Sequence, residues 1–220
     1  MPFLQLLAKK EGNLRFLSHL ETHKMLERSL RRAGVPLAFS QGFNPHPNIS
    51  FAAPLPVGTL SDYEVIHVEL AVGIDPGELI ARQRCCFPGD FVLLKGKLVE
   101  KSPSLMKEVV RSDYRVTLNL SCAAEEIEDR IREFLNQDSH LIRKRTKKGR
   151  INDLDIRPQV RTLTYDEKDH SIFMSLDTGS VSNLKPLVLM KELFDFPEEK
   201  LDVRRTMLYK SKDGELIELY

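Results

Sequence analysis

Residues 18–34 read SHLETHKMLERSLRRAG, and their reading decides what the flanking segments must be. Ser18 and Glu21 have the spacing of a capping box, in which a hydroxyl and a carboxylate satisfy the free N–H groups of a first helical turn. Gly34 stands where a left-handed residue closes a helix. Leu20, Leu26, Leu30 and Ala33 form the expected apolar stripe, while Lys24, Arg28, Arg31 and Arg32 gather on another face. A helix with one apolar stripe must bury it against another element. Upstream, residues 3–8 (FLQLLA) read as a strand, and Gly12 and Asn13 turn the chain. Downstream, residues 35–40 read as a second strand.

The pattern continues outward. In residues 63–72, Tyr63, Val65, His67 and Glu69 alternate with Glu64, Ile66, Val68 and Leu70, which is strand periodicity. Asp75 followed by Pro76 is a cap with proline at the first helical position, opening a short helix to about Cys86. Residues 91–99 give another strand. The order β-α-β-β-α-β is that of a ferredoxin-like unit. The second half repeats it. Residues 114–120 alternate, and Ala124, Ile127, Ile131, Phe134 and Leu135 make a helical stripe. Residues 140–145, 160–165 and 172–176 read as extended, Asn183 caps a helix containing Leu187, Val188 and Leu193, and residues 203–209 close as a strand. The expected fold is α+β: two tandem ferredoxin-like (βαββαβ) units with antiparallel sheets, spanning residues 1–105 and 106–220.

Composition narrows the function classes. Hydrophobic residues make up 41% of the 220, enough to fill a core, and the net charge is +1, so attraction to nucleic acid must come from local patches. No window approaches the roughly 18 apolar residues that span a bilayer. The opening MPFLQLLAKKEG has too short an apolar run, and no basic region before it, for a signal peptide. The cytoplasm is the expected compartment. Cys85, Cys86 and Cys122 are too few, and wrongly spaced, for a disulfide framework or an iron–sulfur cluster, and they read as small buried hydrophobes. There is no GxSxG, no GxxxxGK and no GxGxxG. His19 and His23 share a helix face, but no acidic or cysteine motif completes a metal set, so no metal site is expected.

Three segments carry candidate chemistry. Arg15, Ser18 and His19 sit at a strand-to-helix junction, where a helix N-terminus attracts anions; the plainer reading makes Ser18 a cap only. Residues 40–58, SQGFNPHPNISFAAPLPVG, hold four prolines and two glycines. There Gln41, Asn44 and His46 offer hydrogen bonds and Phe43 a stacking face, a set suited to a nucleobase; the plainer reading is a rigid loop with Phe43 plugging the core. Arg143, Lys144, Arg145, Lys147, Lys148 and Arg150 put six cations in eight positions, suited to a phosphate backbone; the plainer reading is a solvated hairpin tip.

The block RFLSHLETHKMLERSLRRAGVPLAFSQGFNPHPNISFAAPLPVG, residues 15–58, resembles the bacterial radical SAM-linked proteins, an uncharacterised domain fused to, or encoded beside, radical SAM proteins. The likeness continues more loosely through KKGRINDLDIRP and VRRTMLY, and departs where the family has Asp after SHL and this chain has Glu21. It implies an accessory or substrate-binding role beside a radical SAM partner. That partner would carry S-adenosylmethionine and an iron–sulfur cluster, while this chain would bind no cofactor and would not be an enzyme on its own. RNA (tRNA or rRNA) or the ribosome is the substrate expected by analogy. Two alternatives remain open: a stand-alone RNA-processing or RNA-modifying enzyme using His19 or His46 as acid or base, and a protein–protein adaptor for the radical SAM partner.

Overall fold

The computed structural model describes residues 2–100, 104–145 and 151–220. The chain is mixed α+β, with mostly antiparallel sheets and five α-helices among the described residues. It forms two compact units, Met1–Val109 with Met207–Tyr220, and Val110–Thr206.

The first unit runs β1 (Phe3–Lys10), α1 (His19–Arg32), β2 (Ile49–Phe51), β3 (Leu60–Glu69), α2 (Pro76–Cys86), β4 (Phe91–Val99) and α3 (Leu105–Glu108). β1 is central, pairing antiparallel with β3 (Leu6 opposite Ile66) and with β4 (Leu6 opposite Gly96), and β2 pairs with β3, giving the order β4-β1-β3-β2. Alternation sends Leu4, Leu6, Ile66 and Val68 to one face, where they bury against Leu26 and Leu30 of α1 and Leu79 of α2. The other face presents Leu7, Tyr63 and Val65, covered by Leu105, Leu208 and Leu219. Residues 207–220, which the sequence reading grouped with 106–206, thus pack with the first unit. α1 closes as its composition dictates: Gly34 takes φ 72°, its N–H donates to the Arg31 carbonyl and the Val35 N–H donates to the Leu30 carbonyl, a Schellman ending.

The second unit runs β5 (Val109–Leu118), α4 (Ala124–Leu135), β6 (Leu141–Arg145), β7 (Ile151–Asp155), β8 (Val160–Asp166), β9 (Ser171–Asp177), α5 (Pro186–Phe194) and β10 (Leu201–Lys212), which leaves the unit after Thr206 and pairs with β11 (Glu215–Glu218). Its strand order is β10-β5-β9-β8, and β6 and β7 form a separate two-stranded sheet. Val116, Ile172 and Met174 pack with Ile127 and Phe134 of α4 and Leu189 and Met190 of α5.

Several expectations are corrected. Residues 35–40 are not a strand and make only isolated bridges at Leu37 and Phe39. Pro36 has no N–H, and the Leu37 N–H turns back to the Val35 carbonyl, so no ladder forms. The second strand is Ile49–Phe51, inside the stretch 49–53 that also reads as extended. Asn183 does not cap α5. The Leu184 N–H is spent on the Asp177 carbonyl, and the helix starts at Pro186 after Lys185. Leu20, placed in the apolar stripe of α1, is 72% exposed. Cys85 is exposed, whereas Cys86 is buried.

Candidate functional site

The start of α1 is built as the capping box requires. The Ser18 hydroxyl accepts from the Glu21 N–H (3.3 Å), and the Ser18 N–H donates to the Glu21 carboxylate (2.8 Å). Hydrogen bonding from the Ser18 side chain, then from the Ser18 backbone N–H, holds the Glu21 carboxyl below its usual range. The Gly58 N–H donates to the Arg15 carbonyl (2.8 Å), which clips the PLPVG segment onto the RFLSHL turn. The Arg15 guanidinium lies 5.5 Å from the Phe16 ring.

Beneath this junction is a small polar pocket lined by Lys10, His19, Thr22, Phe51, Pro54, Leu55 and Glu64, with about 10 Å³ of water-accessible space, about the room one water needs. Lys10 is 2% exposed, Glu64 3% and Thr22 5%. The Lys10 ammonium donates to the Leu17 carbonyl (3.3 Å). The Thr22 hydroxyl has no hydrogen-bond partner among the described residues. His19 stands at the rim, edge-on to the Phe51 ring at 5.4 Å. Burial pushes its imidazole below the usual range. The His23 charge pushes the same way, Glu64 opposes it, and Lys10 adds to the lowering. A neutral histidine beside a buried carboxylate and ammonium has the makings of an acid–base centre.

The loop at residues 41–46 is a different kind of feature. Its base is tied twice: the Ser40 N–H donates to the His46 carbonyl (2.8 Å), and the His46 N–H donates to the Ser40 hydroxyl (3.0 Å). Below that, the Asn48 amide donates to the Glu69 carboxylate (2.6 Å) and the Ala38 N–H to the Glu69 carbonyl (2.9 Å), anchoring the loop to the end of β3. Gly42 takes φ 132°, a conformation that favours glycine. All six residues of the tip are exposed, and Phe43 lies wholly in solvent. The expectation that Phe43 plugs the core is therefore corrected.

The seven first-half candidates do not share one pocket. Arg15, Ser18 and His19 lie at the start of α1, and only His19 lines the cavity. Gln41, Phe43, Asn44 and His46 lie on the loop, whose base sits near the other end of α1: the Phe39 ring is 5.1 Å from the Arg31 guanidinium. His19 and Arg31 are twelve residues apart, about 18 Å along a helix. Sequence reasoning missed Lys10, Thr22 and Glu64. Only the rarity of buried charge could flag them, and a sequence does not carry burial.

In the second unit, Arg143 is exposed on β6. The backbones of Lys144 and Arg145 complete that strand. Lys147, Lys148 and Arg150 lie outside the described residues. His170 is held on both ring nitrogens, by the Tyr165 hydroxyl (2.7 Å) and the Leu120 carbonyl (2.8 Å). Burial and then Glu126 push the neighbouring Cys122 thiol up, which disfavours a nucleophilic thiolate. Among the described residues, no group of three or more His, Cys, Asp or Glu is arranged to hold a metal ion, and no helix is long and apolar enough to cross a membrane.

A family model described as an uncharacterized protein conserved in bacteria (DUF2344) matches residues 4–186. The chain belongs to this family. Among curated proteins, nothing matches the DUF2344 chain. Among solved structures it is similar to the crystal structure of a Cbf5–Nop10–Gar1 complex, at 11% identity and a TM-score of 0.49, over 93% of this chain and 48% of that one. The DUF2344 chain thus spans about half the length of that chain, and the likeness is too distant to define either a fold class or a function.

Proposed function

We propose that this DUF2344 chain is an RNA-binding accessory protein that presents its substrate to a radical SAM enzyme in the bacterial cytoplasm. The carrying observation is the 41–46 loop: a tied, exposed tip that offers a free aromatic ring among Gln41, Asn44 and His46. A fully exposed phenylalanine gains nothing for folding and is suited to stacking on an unpaired base. The exposed apolar residues Phe16, Leu20 and Val57 support a protein contact beside the RFLSHL turn. In this reading S-adenosylmethionine and the cluster belong to the partner. Cys85 and Cys86 are adjacent on α2, one exposed and one buried, so they do not fit a cluster-ligand set. The strand orders β4-β1-β3-β2 and β10-β5-β9-β8 support reading the units as tandem ferredoxin-like folds, a scaffold neutral as to function. The test is fluorescence anisotropy of labelled tRNA and rRNA fragments. Wild type is expected to bind, and Phe43→Ala to weaken binding roughly tenfold, the scale of one base stack. Equal affinities would overturn the reading.

A second reading is favoured by the Lys10–His19–Thr22–Glu64 pocket: an RNA-processing enzyme using His19 as acid or base. It expects turnover on an RNA panel that His19→Asn abolishes. No turnover by wild type on that panel contradicts it.

A further inference from the structure

The buried positions of α1 are Thr22, Leu26, Ser29 and Leu30. The opposite side carries Lys24, Arg28, Arg31 and Arg32, all exposed, spaced so that they form a nearly straight row. The acids of this helix are already engaged. Glu21 completes the capping box, and Glu27 pairs with Arg31 at 2.9 Å. Arg28 and Arg32 have no ion-pair or hydrogen-bond partner among the described residues, and Lys24 meets only the through-space field of Glu21. The row ends at aromatic rings: Arg31 lies over Phe39, and Phe39 opens the loop that carries Phe43. In a chain with a net charge of +1, a row in which Glu27 pairs with Arg31 but Arg28 and Arg32 stay unpaired among the described residues is a local source of attraction for phosphate.

We propose that this face is a track for single-stranded RNA, with a base stacked on Phe43 and the phosphates running over Arg32, Arg28 and Lys24 toward the start of α1. The proposal rests on the RNA-binding reading above and adds strandedness and path. An exposed side chain stacks only on a base that is already unpaired, and duplex RNA hides its base faces. Successive cations in the row stand about 6 Å apart along the axis, so they follow one backbone rather than straddling two. The path also shifts the electrostatic work from the 143–150 tip to the first unit.

The test is a salt titration of a labelled single-stranded RNA of about 12 nucleotides, within the site sizes of sequence-tolerant binders. Wild type is compared with Lys24→Gln/Arg28→Gln/Arg32→Gln, with Phe43→Ala, and with Arg143→Gln/Lys144→Gln/Lys147→Gln/Lys148→Gln. Three phosphate contacts predict that the slope of log affinity against log salt loses about 2 in the first variant. That variant is expected to bind at least about tenfold more weakly at low salt, while the tip variant changes less and duplex RNA competes poorly. If Phe43→Ala weakens binding but the triple variant keeps wild-type affinity and slope, the track is overturned and the RNA-binding reading survives. Equal competition by duplex RNA overturns the strandedness. If wild type fails to bind RNA at all, both fall. Unchanged circular dichroism of each variant guards against misfolding.

Discussion

The two ends of α1 spend polar groups in opposite ways. At the start, Lys10, Thr22 and Glu64 are almost wholly buried around a space for one water. Near the other end, residues 41–46 are all exposed and make their ties through Ser40 at the base. Buried charge is costly unless its surroundings are complete, so the pocket is bound up with the stability of its unit. The loop adds little to stability, which leaves its side chains available for a partner.

The largest effect that separates them is a charge deletion in the pocket. Glu64→Leu leaves the Lys10 ammonium buried without the opposite charge that lines the same space, and should cost about 3 kcal/mol in urea unfolding. A cost under about 1 kcal/mol would dissolve the contrast.

His67 gives the next test, as a buried histidine to set against the exposed His46. Burial, followed by the charges of Lys97 and Lys210, lowers its pKa from 6.5 to about 4. Between those values the unfolded chain binds the extra proton, so stability is whole above pH 6.5 and is lost as pH falls toward 4. At 1.36 kcal/mol per unit the loss approaches about 3 kcal/mol. Unfolding measured at pH 7 and pH 4 should show it in wild type, and should show much less in His67→Gln.

Smaller effects sharpen the pocket's rim. Ser18→Ala removes half of the capping box and should cost about 1 kcal/mol. Thr22→Val keeps the shape and deletes a hydroxyl that has no hydrogen-bond partner among the described residues, so it should change stability by less than about 1 kcal/mol. A larger loss would mean that the hydroxyl holds an ordered water. Phe43→Ala should fall within about 0.5 kcal/mol of wild type in thermal unfolding.

Much of this frame was legible in the sequence. The capping box, Gly34, a strand where residues 63–72 read as one (observed as Leu60–Glu69, buried on both faces) and the Asp75–Pro76 start all appear, because each is a local device. Leu20 misled because it stands six residues before Leu26, about 120° around the helix, and so lies off the face that Leu26, Leu30 and Ala33 bury. Residues 35–40 misled because Pro36 and a single turned N–H prevent a ladder that the side-chain pattern alone suggests. Of the site, the sequence pointed to His19 and the loop. Glu64 stayed hidden because on a strand it reads as an ordinary solvent-facing charge, and Lys10 because it falls past residues 3–8, the stretch that reads as the first strand; both line the pocket with His19, Thr22, Pro54 and Leu55.

The central claim is that Phe43 receives an RNA base. The chain contains no tryptophan, so Phe43→Trp creates a single reporter at that position. Titration with single-stranded RNA should quench its fluorescence saturably, at the same concentrations that raise RNA anisotropy, and the quench should weaken as salt rises. An emission that stays constant while RNA binds would place the base elsewhere and contradict the account.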